Sequence, residues 1–224
     1  MSTLKHFTLY THWGGANGWK VAYVIAELGL TYEPIYLDFP KKEQKAPEFL
    51  KLNPNGRIPV IVDHENDDFV LWESNAILLY LVEKYDKDHK LSASTDAQKA
   101  IQNQWLFFQA SRQGPYFGQW FWFNNYSTIK ISSALLRYKS ETERVYGVLE
   151  AVLGKQKWLV GDKMTISDIS FLPWNDLAFS TILEDYPIAD KFPAVYNWQA
   201  LMSSSPPIKA AIQERAAIVK VNME

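Results

Sequence analysis

NPNGRIPVIVDHENDDFVLWESNAILLYLVEKY, residues Asn53 to Tyr85, is the most informative stretch of the chain for its fold. It holds two short runs rich in apolar residues, Val60 to Asp63 and Phe69 to Trp72, on either side of a polar turn at Glu65 to Asp68. Such runs around a turn predict two antiparallel strands. Apolar residues at helical spacing follow, and they predict a helix that starts at Glu73-Ser74-Asn75. The stretch therefore predicts a strand pair and a helix that begins directly behind it.

The predicted start of this helix suits a small ligand that carries charges of both signs. Ser74 stands ahead of the apolar positions and is a favourable N-cap. A helix N-terminus offers unpaired amide hydrogens and partial positive charge to a carboxylate, and Glu73 can hold an ammonium group. A ligand with both groups on one carbon, such as the γ-glutamyl end of glutathione, needs both. Taken singly, Ser74 is also consistent with a simple cap and Glu73 with a solvated charge.

The bond between Ile58 and Pro59 precedes the first of the two strands. Pro59 cannot donate to a sheet ladder, and X-Pro bonds are where cis peptides occur. A cis bond would turn the amide and carbonyl of Ile58 outward, where they can pair with an extended peptide. The alternative is that Pro59 only ends a loop. Because the spacing brings Ile58, Glu73 and Ser74 to one end of the predicted sheet, the sequence predicts a site for a small charged peptide there.

These residues also resemble those of a known family. NPNGRIPVIVDH followed by LWESNAILLYLVEKY is similar to the glutathione-binding half of the cytosolic glutathione transferases, in which the Glu73-Ser74 pair is the γ-glutamyl signature. The chain is similar above all to a fungal group that includes the transferase-like domain of the yeast nitrogen-regulating prion protein. The resemblance extends from Phe7 to about Ala211. It implies glutathione as the cosubstrate and a homodimer as the assembly.

Composition argues against several other classes. The 224 residues carry a net charge of −2 and no basic cluster, so nothing draws the chain to nucleic acid or to an anionic membrane. No apolar run approaches the roughly 18 residues that span a bilayer, and the N-terminus lacks an apolar signal core, so a cytoplasmic location is expected. There is no cysteine, so any reactive thiol must come with a ligand. The four histidines show no metal-ligand spacing, and no metal site is predicted.

Taken in chain order, the patterning predicts two domains. Residues 1–85 are predicted as β-α-β followed by β-β-α, an α/β thioredoxin-like arrangement. Residues 86–95 are polar and charged and predict a linker, and residues 96–224 predict an all-α helical bundle. Gly114-Pro115 should kink or break the first helix of the bundle, and Thr165-Ile-Ser-Asp predicts a capping box. The predicted helices cover about 96–125, 128–153, 165–180, 193–204 and 208–217.

A transferase of this family must ionise the glutathione thiol, since only a few per cent of a free thiol is ionised at pH 7. Three residues near the first strand, Tyr10, Thr11 and Asn17, are candidates for the catalytic donor to sulfur. By resemblance, Asn17 matches the asparagine that the fungal group uses in place of serine, and its amide can donate but cannot accept the proton. Asn17-Gly18 is also consistent with a turn and helix cap. Thr11 ranks second, and Tyr10, inside the strand, is expected to pack.

Family positions imply further contacts to the substrates. Gln44 stands where the yeast relative has a histidine, and with Arg57 it is expected to bind the glycyl carboxylate of glutathione. Aromatic residues of the second domain are expected to form a pocket for hydrophobic electrophiles against the first loop. An aromatic core is the simpler interpretation of any one of them. The predicted pocket residues are Trp13, Phe108, Trp120 and Phe121.

The expected function is transfer of glutathione to hydrophobic small-molecule electrophiles, with glutathione-dependent peroxide reduction as a second reaction of the same thiolate. The alternative is a non-catalytic regulator that binds glutathione, or a carrier of small aromatic compounds. Ile58, Glu73 and Ser74 favour glutathione binding under both hypotheses and do not separate them.

Overall fold

The computed structural model describes residues 5–223. These residues form two compact units, one made of 5–90 with 205–223 and the other of 91–204. Within the described part of the chain, no helix combines the length and the apolar character that crossing a membrane requires.

The first unit is built on a mixed sheet. Its elements in chain order are β1 (Phe7–Thr11), α1 (Ala16–Glu27), β2 (Tyr32–Tyr36), α2 (Pro47–Leu52), β3 (Val60–Asp63), β4 (Phe69–Trp72) and α3 (Ser74–Tyr85). The strands lie in the order β2-β1-β3-β4. β1 is parallel to β2 and antiparallel to β3, and β3 pairs antiparallel with β4. This arrangement confirms the predicted thioredoxin-like class, and β3 and β4 have the predicted bounds.

The second unit is helical in its regular elements. They are α4 (Asp96–Phe108), α5 (Gly114–Asn125), α6 (Ser132–Leu153), α7 (Ile166–Leu177), α8 (Ile188–Lys191) and α9 (Pro193–Ser203). Apolar residues of α6 and α7 such as Leu149, Ile169 and Phe171 have no exposed surface. The predicted all-α second part of the fold is therefore confirmed.

The predicted capping box is present at the start of α7. The Thr165 side chain accepts from the amide of Ser167, and the Thr165 amide donates to Oδ2 of Asp168 at 2.8 Å. Asp168 is fully buried and also accepts from the amide of Leu159 at 2.9 Å and from Nε1 of Trp198 at 3.0 Å. Burial raises the pKa of Asp168, while these hydrogen bonds lower it. The box thus ties α7 to α9 and to the loop before α7.

Gly114-Pro115 does not end the long helix that begins at α4. A π-helical turn, Gln109–Gln113, joins α4 to α5 without an interruption, and the amide of Gly114 donates to the carbonyl of Gln109, five residues earlier. Pro115 has no N–H and its ring crowds the preceding turn, and a wider turn gives the ring room. The predicted irregularity is therefore a change of helix type.

The last helix, α10 (Pro206–Met223), packs on α1. The sequence ANGWKVAYVIAE gives α1 almost no polar face, so this helix must be covered on several sides. β1, α3 and α10 all contact it, and the Arg215 guanidinium lies 5.7 Å from the centre of the Trp19 ring. This last helix was predicted to be part of the second domain, whereas in the structure it belongs to the first compact unit.

Candidate functional site

Three chain segments meet at one end of the sheet. The Ile58-Pro59 bond is cis, and β3 begins directly after it. Val60 pairs with Trp72 of β4 and, on its other side, with Tyr10 of β1. Pro59 and Glu73 are therefore the next residues beyond one strand pair. The cis-proline and the start of α3 are neighbours, as the sequence predicted, and the end of β1 lies beside them.

The loop from His12 to Gly15 brings the start of α1 to the same place. A Cβ added at Gly15 would lie 2.7 Å from Cδ1 of Ile58, which is closer than Cβ atoms approach other atoms in real structures. A side chain at this position would require the Ile58 side chain to shift. Because Gly15 is the N-cap of α1, the first turn of this helix, with Asn17 in it, lies beside the cis-proline loop.

Asn17 and Thr11, the first- and second-ranked candidates for the donor to sulfur, have different surroundings. Asn17 is half-buried in the first turn of α1, where the partial positive charge of the helix N-terminus is strongest. Thr11 is only 5% exposed, and its Oγ1 is enclosed without a hydrogen-bond partner among residues 5–223. The reason is Gly18, since a Cβ at that position would lie 1.9 Å from Thr11 Oγ1. The Thr11 hydroxyl thus faces the backbone of α1.

Tyr10 packs, as expected. Its ring centre lies 5.8 Å from that of Phe49, and it joins an apolar cluster with Leu37 and Val60. A strand residue held in this way is part of the core of the first unit.

Ser74 is not the N-cap that the sequence analysis predicted. Glu73 occupies the capping position, with an exposed side chain that makes no capping hydrogen bond, and Ser74 is the first helical residue. Glu73 has φ 71°, in the left-handed region that non-glycine residues rarely adopt. This turn of the backbone places Ser74 inside the helix. Its hydroxyl, buried at 8% exposure, accepts a hydrogen bond from Nζ of Lys20 at 3.2 Å instead.

Lys20 is a site residue that the sequence analysis missed. It lies on α1 at 2% exposure, and its Nζ also donates to Oδ1 of Asn75 at 3.2 Å. Burial lowers the pKa of Lys20 from 10.5 to about 7, although the carboxylate of Glu73 raises it in part. A single lysine inside the apolar run WKVAYVIA was the available signal, because a charge within an all-apolar helix must find buried partners.

Gln44 and Arg57 lie on two segments that contact each other. Gln44 is in a short 3-10 turn, and its Oε1 is enclosed with no hydrogen-bond partner among the described residues. Gly56, at φ +61°, comes so close that a Cβ there would lie 2.8 Å from the Gln44 carbonyl oxygen. Lys45 donates to the carbonyl of Asn55 at 3.0 Å across the same contact. The exposed side chain of Arg57 thus stands next to a segment that also carries Gln44.

The predicted pocket residues are divided between the two units. In the first unit, Trp13 is half-buried with its ring 4.7 Å from that of His12. In the second unit, Phe108 packs against Phe171 with ring centres 6.4 Å apart. The last two, Trp120 and Phe121, are half-buried on α5. Their partial exposure is compatible with a pocket, and their role in one stays a prediction.

A mixed four-stranded sheet with a cis-proline ahead of β3, and a helix start beside it, defines a thioredoxin-like unit, here joined to a helical unit. Residues 5–83 match the family model "Glutathione S-transferase, N-terminal domain", and residues 128–206 match "Glutathione S-transferase, C-terminal domain". The chain belongs to the glutathione S-transferase family.

Individual relatives agree with this assignment. Glutathione S-transferase 2 of Schizosaccharomyces pombe is 45% identical, over 95% of this chain and 97% of its own length. The crystal structure of glutathione transferase URE2P6 from Phanerochaete chrysosporium, in complex with oxidized glutathione, is 54% identical with a TM-score of 0.94 and covers 97% of this chain and 100% of that one. Ure2p5 from the same fungus, cocrystallized with 1-(S-glutathionyl)-2,4-dinitrobenzene, is 46% identical with a TM-score of 0.91, and 98% of each chain is covered. The predicted family and its fungal group are confirmed.

Proposed function

We propose that this protein is a glutathione transferase that ionises the glutathione thiol and transfers the thiolate to hydrophobic electrophiles. The observation that carries the proposal is the meeting of Asn17, the cis Ile58-Pro59 bond and the Glu73-Ser74 helix start at one end of the sheet. Relatives crystallized with glutathione or with a glutathione conjugate support the same ligand.

The charges of this end of the sheet suit the γ-glutamyl part of the ligand. The ligand's α-carboxylate would meet the amides at the start of α3 and the Ser74 hydroxyl, with the Lys20 ammonium behind it. The exposed carboxylate of Glu73 would meet the α-ammonium. Each group of the ligand therefore finds a group of opposite polarity on this chain.

The remaining parts of the ligand have candidate partners in the same unit. The backbone of Ile58 would pair with the cysteinyl residue of the tripeptide. Gln44 and Arg57 would bind the glycyl carboxylate, and the donor in the Gln44 contact would be its amide nitrogen, because the amide oxygen can only accept.

The Asn17 amide would donate to the sulfur and stabilise the thiolate without accepting its proton, which leaves to solvent. A hydrogen bond to a charged acceptor contributes about 1.5–3 kcal/mol, and one pKa unit corresponds to about 1.4 kcal/mol. One donor can therefore lower the thiol pKa by roughly one to two units. The positive end of α1 adds to this effect. The enclosed hydroxyl of Thr11 makes that residue the weaker candidate.

The same thiolate would attack an electrophilic carbon, with loss of its leaving group, such as chloride from a chloronitroaromatic. Alternatively it would attack a hydroperoxide oxygen and break the O–O bond, which releases an alcohol and leaves a glutathione sulfenic acid that a second glutathione converts to the disulfide and water. Trp13, Phe108, Trp120 and Phe121 remain the predicted lining of the acceptor pocket. A boundary between the two domains at 86–95, the homodimer and the cytoplasmic location are also part of this proposal.

The test compares wild type with Asn17→Ala, and Asn197→Ala serves as a matched control on the exposed surface of α9. Conjugation of a chloronitroaromatic and reduction of cumene hydroperoxide give the two rates. The ultraviolet absorbance of the bound thiolate, followed against pH, gives its pKa. We expect Asn17→Ala to raise the thiol pKa by one to two units and to lower kcat/KM about tenfold or more near pH 6.5, with the control unchanged.

Three outcomes would contradict parts of the proposal. If Asn17→Ala leaves the thiol pKa and both rates unchanged, the catalytic assignment is wrong and Thr11 is next. If glutathione binds but neither reaction exceeds background, the protein is a regulator or carrier. If calorimetry finds no affinity for glutathione, the whole proposal fails.

A further inference from the structure

The side chain of Lys20 ends directly behind the start of α3. It lies one helical turn after Asn17 on α1, and its Nζ is 3.2 Å from Ser74 Oγ and 3.2 Å from Asn75 Oδ1. Both acceptors belong to the first turn of α3. A cation that is 98% buried thus stands on the inner side of the same backbone turn whose outer side is proposed to bind the γ-glutamyl carboxylate.

The hydrogen bond to Ser74 leaves that hydroxyl prepared for an anion. An ammonium group can only donate, so Ser74 Oγ must be the acceptor in this pair. The hydroxyl hydrogen then remains available to a ligand oxygen. A hydroxyl that accepts from a cation is also a stronger donor itself, because such bonds polarise one another. The neutral side chain of Asn75 fixes the ammonium from a second direction.

Burial and the carboxylate of Glu73 set the pKa of Lys20. Loss of hydration is the largest effect on its pKa, and the carboxylate of Glu73 offsets it incompletely. On α10, which also packs on α1, Arg215 lies over Trp19, and Glu214 raises the pKa of Tyr32 and Tyr36. β1 contributes the neutral side chain of Thr11 next to α1. A ligand carboxylate at the start of α3 would add negative charge near the ammonium group.

We propose that Lys20 is a positioning residue for the γ-glutamyl group: its ammonium orients Ser74 Oγ and faces the ligand's α-carboxylate from behind, so that tripeptide binding is coupled to protonation of Lys20. This inference rests on the proposed function, because it concerns the same ligand. It adds a role to a residue that does not line the binding surface.

The coupling has a definite sign. The carboxylate favours the ammonium form, so binding raises the pKa of Lys20 above its value of about 7 in the free protein. Affinity is therefore full below pH 7 and falls as pH rises above 7. The complex takes up roughly half a proton at pH 7.5. Between pH 6.5 and 8.5 the dissociation constant should rise roughly fivefold to twentyfold.

S-Methylglutathione is the probe, since it has no thiol and releases no proton of its own. Calorimetry in two buffers of different ionisation enthalpy measures the protons taken up by wild type, Lys20→Met and the surface control Lys87→Met. We expect Lys20→Met to bind about tenfold more weakly at pH 6.5, with no proton uptake and no dependence on pH from 6.5 to 8.5. The control should match wild type.

A second ligand separates positioning from general damage. An analogue of S-methylglutathione that lacks the α-carboxylate should bind wild type and Lys20→Met within about twofold of each other. If Lys20→Met lost the same amount of affinity for both ligands, the role of Lys20 would be merely structural and the inference would be overturned. The inference would also be overturned if Lys20→Met took up as many protons on binding as wild type does. If wild type itself does not bind S-methylglutathione, the proposed function fails first. Thermal unfolding confirms that the variant is folded.

Discussion

Replacement of the buried Lys20 by methionine should change how the stability of the free protein depends on pH. The pKa of this lysine is about 7 in the folded protein and 10.5 in its ordinary state. Between these values the unfolded chain binds the proton more tightly, so the folded state of wild type gains stability as pH rises. Methionine has a similar length and no charge, so the variant lacks this contribution.

The size of the effect follows from the two pKa values. Between these two pKa values, the unfolding free energy of wild type rises by up to about 1.4 kcal/mol per pH unit. The rise is smaller near pH 7, where Lys20 is half-protonated. From pH 7 to pH 9, wild type should therefore gain about 2 kcal/mol of unfolding free energy relative to Lys20→Met. The hydrogen bonds lost to Ser74 and Asn75 add a constant difference that does not depend on pH.

Urea unfolding at several pH values, followed by tryptophan fluorescence, measures this difference. Trp19 adjoins Lys20 on the buried α1 and reports on the first unit. Lys87→Met, an exposed lysine of the same unit, is the control and should differ from wild type by the same amount at every pH. A constant difference between wild type and Lys20→Met from pH 7 to pH 9 would show that Lys20 keeps its charge, and the account of its burial would be refuted.

Three other substitutions test the described contacts. Gly18→Ala places a Cβ 1.9 Å from Thr11 Oγ1 and should lower the unfolding free energy by about 1–3 kcal/mol in urea unfolding. A double variant with Thr11→Ala should recover part of this loss. If the losses of unfolding free energy from the two substitutions were additive, the contact would be contradicted. Thr165→Ala removes the cap of α7 and should lower the unfolding free energy by about 1 kcal/mol, whereas Ser180→Ala should change little. Ser74→Ala should raise the glutathione dissociation constant about tenfold by calorimetry, and an unchanged constant would remove Ser74 from the site.

Much of the first unit could be predicted because its signals are local. β3 and β4 are short apolar runs around a polar turn, and the structure keeps their predicted bounds. α2 was missed because PEFLKL is short and lies between polar residues, so it shows no helical period. Its Phe49 is nevertheless buried against the sheet.

The features that sequence patterns did not reveal depend on distant residues or on backbone angles. The partners of Lys20 lie more than fifty positions away on α3, so no local pattern connects them. The capping position of α3 depends on the positive φ of Glu73. The sequence does not show this backbone angle, and Ser74, a favourable N-cap residue, led to the wrong prediction. The apolar face that joins α10 to α1 becomes visible only when both helices are in place.

The π-helical turn at Gln109–Gln113 also changes which residues of the long helix share a side. Trp105 and Phe117 are both buried and stand twelve positions apart. At about 100° per residue, a straight α-helix would point them roughly 120° away from each other. The turn takes in one extra residue, and eleven effective steps bring the two rings within about 20° of one direction. A deletion inside this turn would therefore preserve the orientation of α5, whereas the same deletion one turn earlier or later would rotate its aromatic residues out of their present contacts.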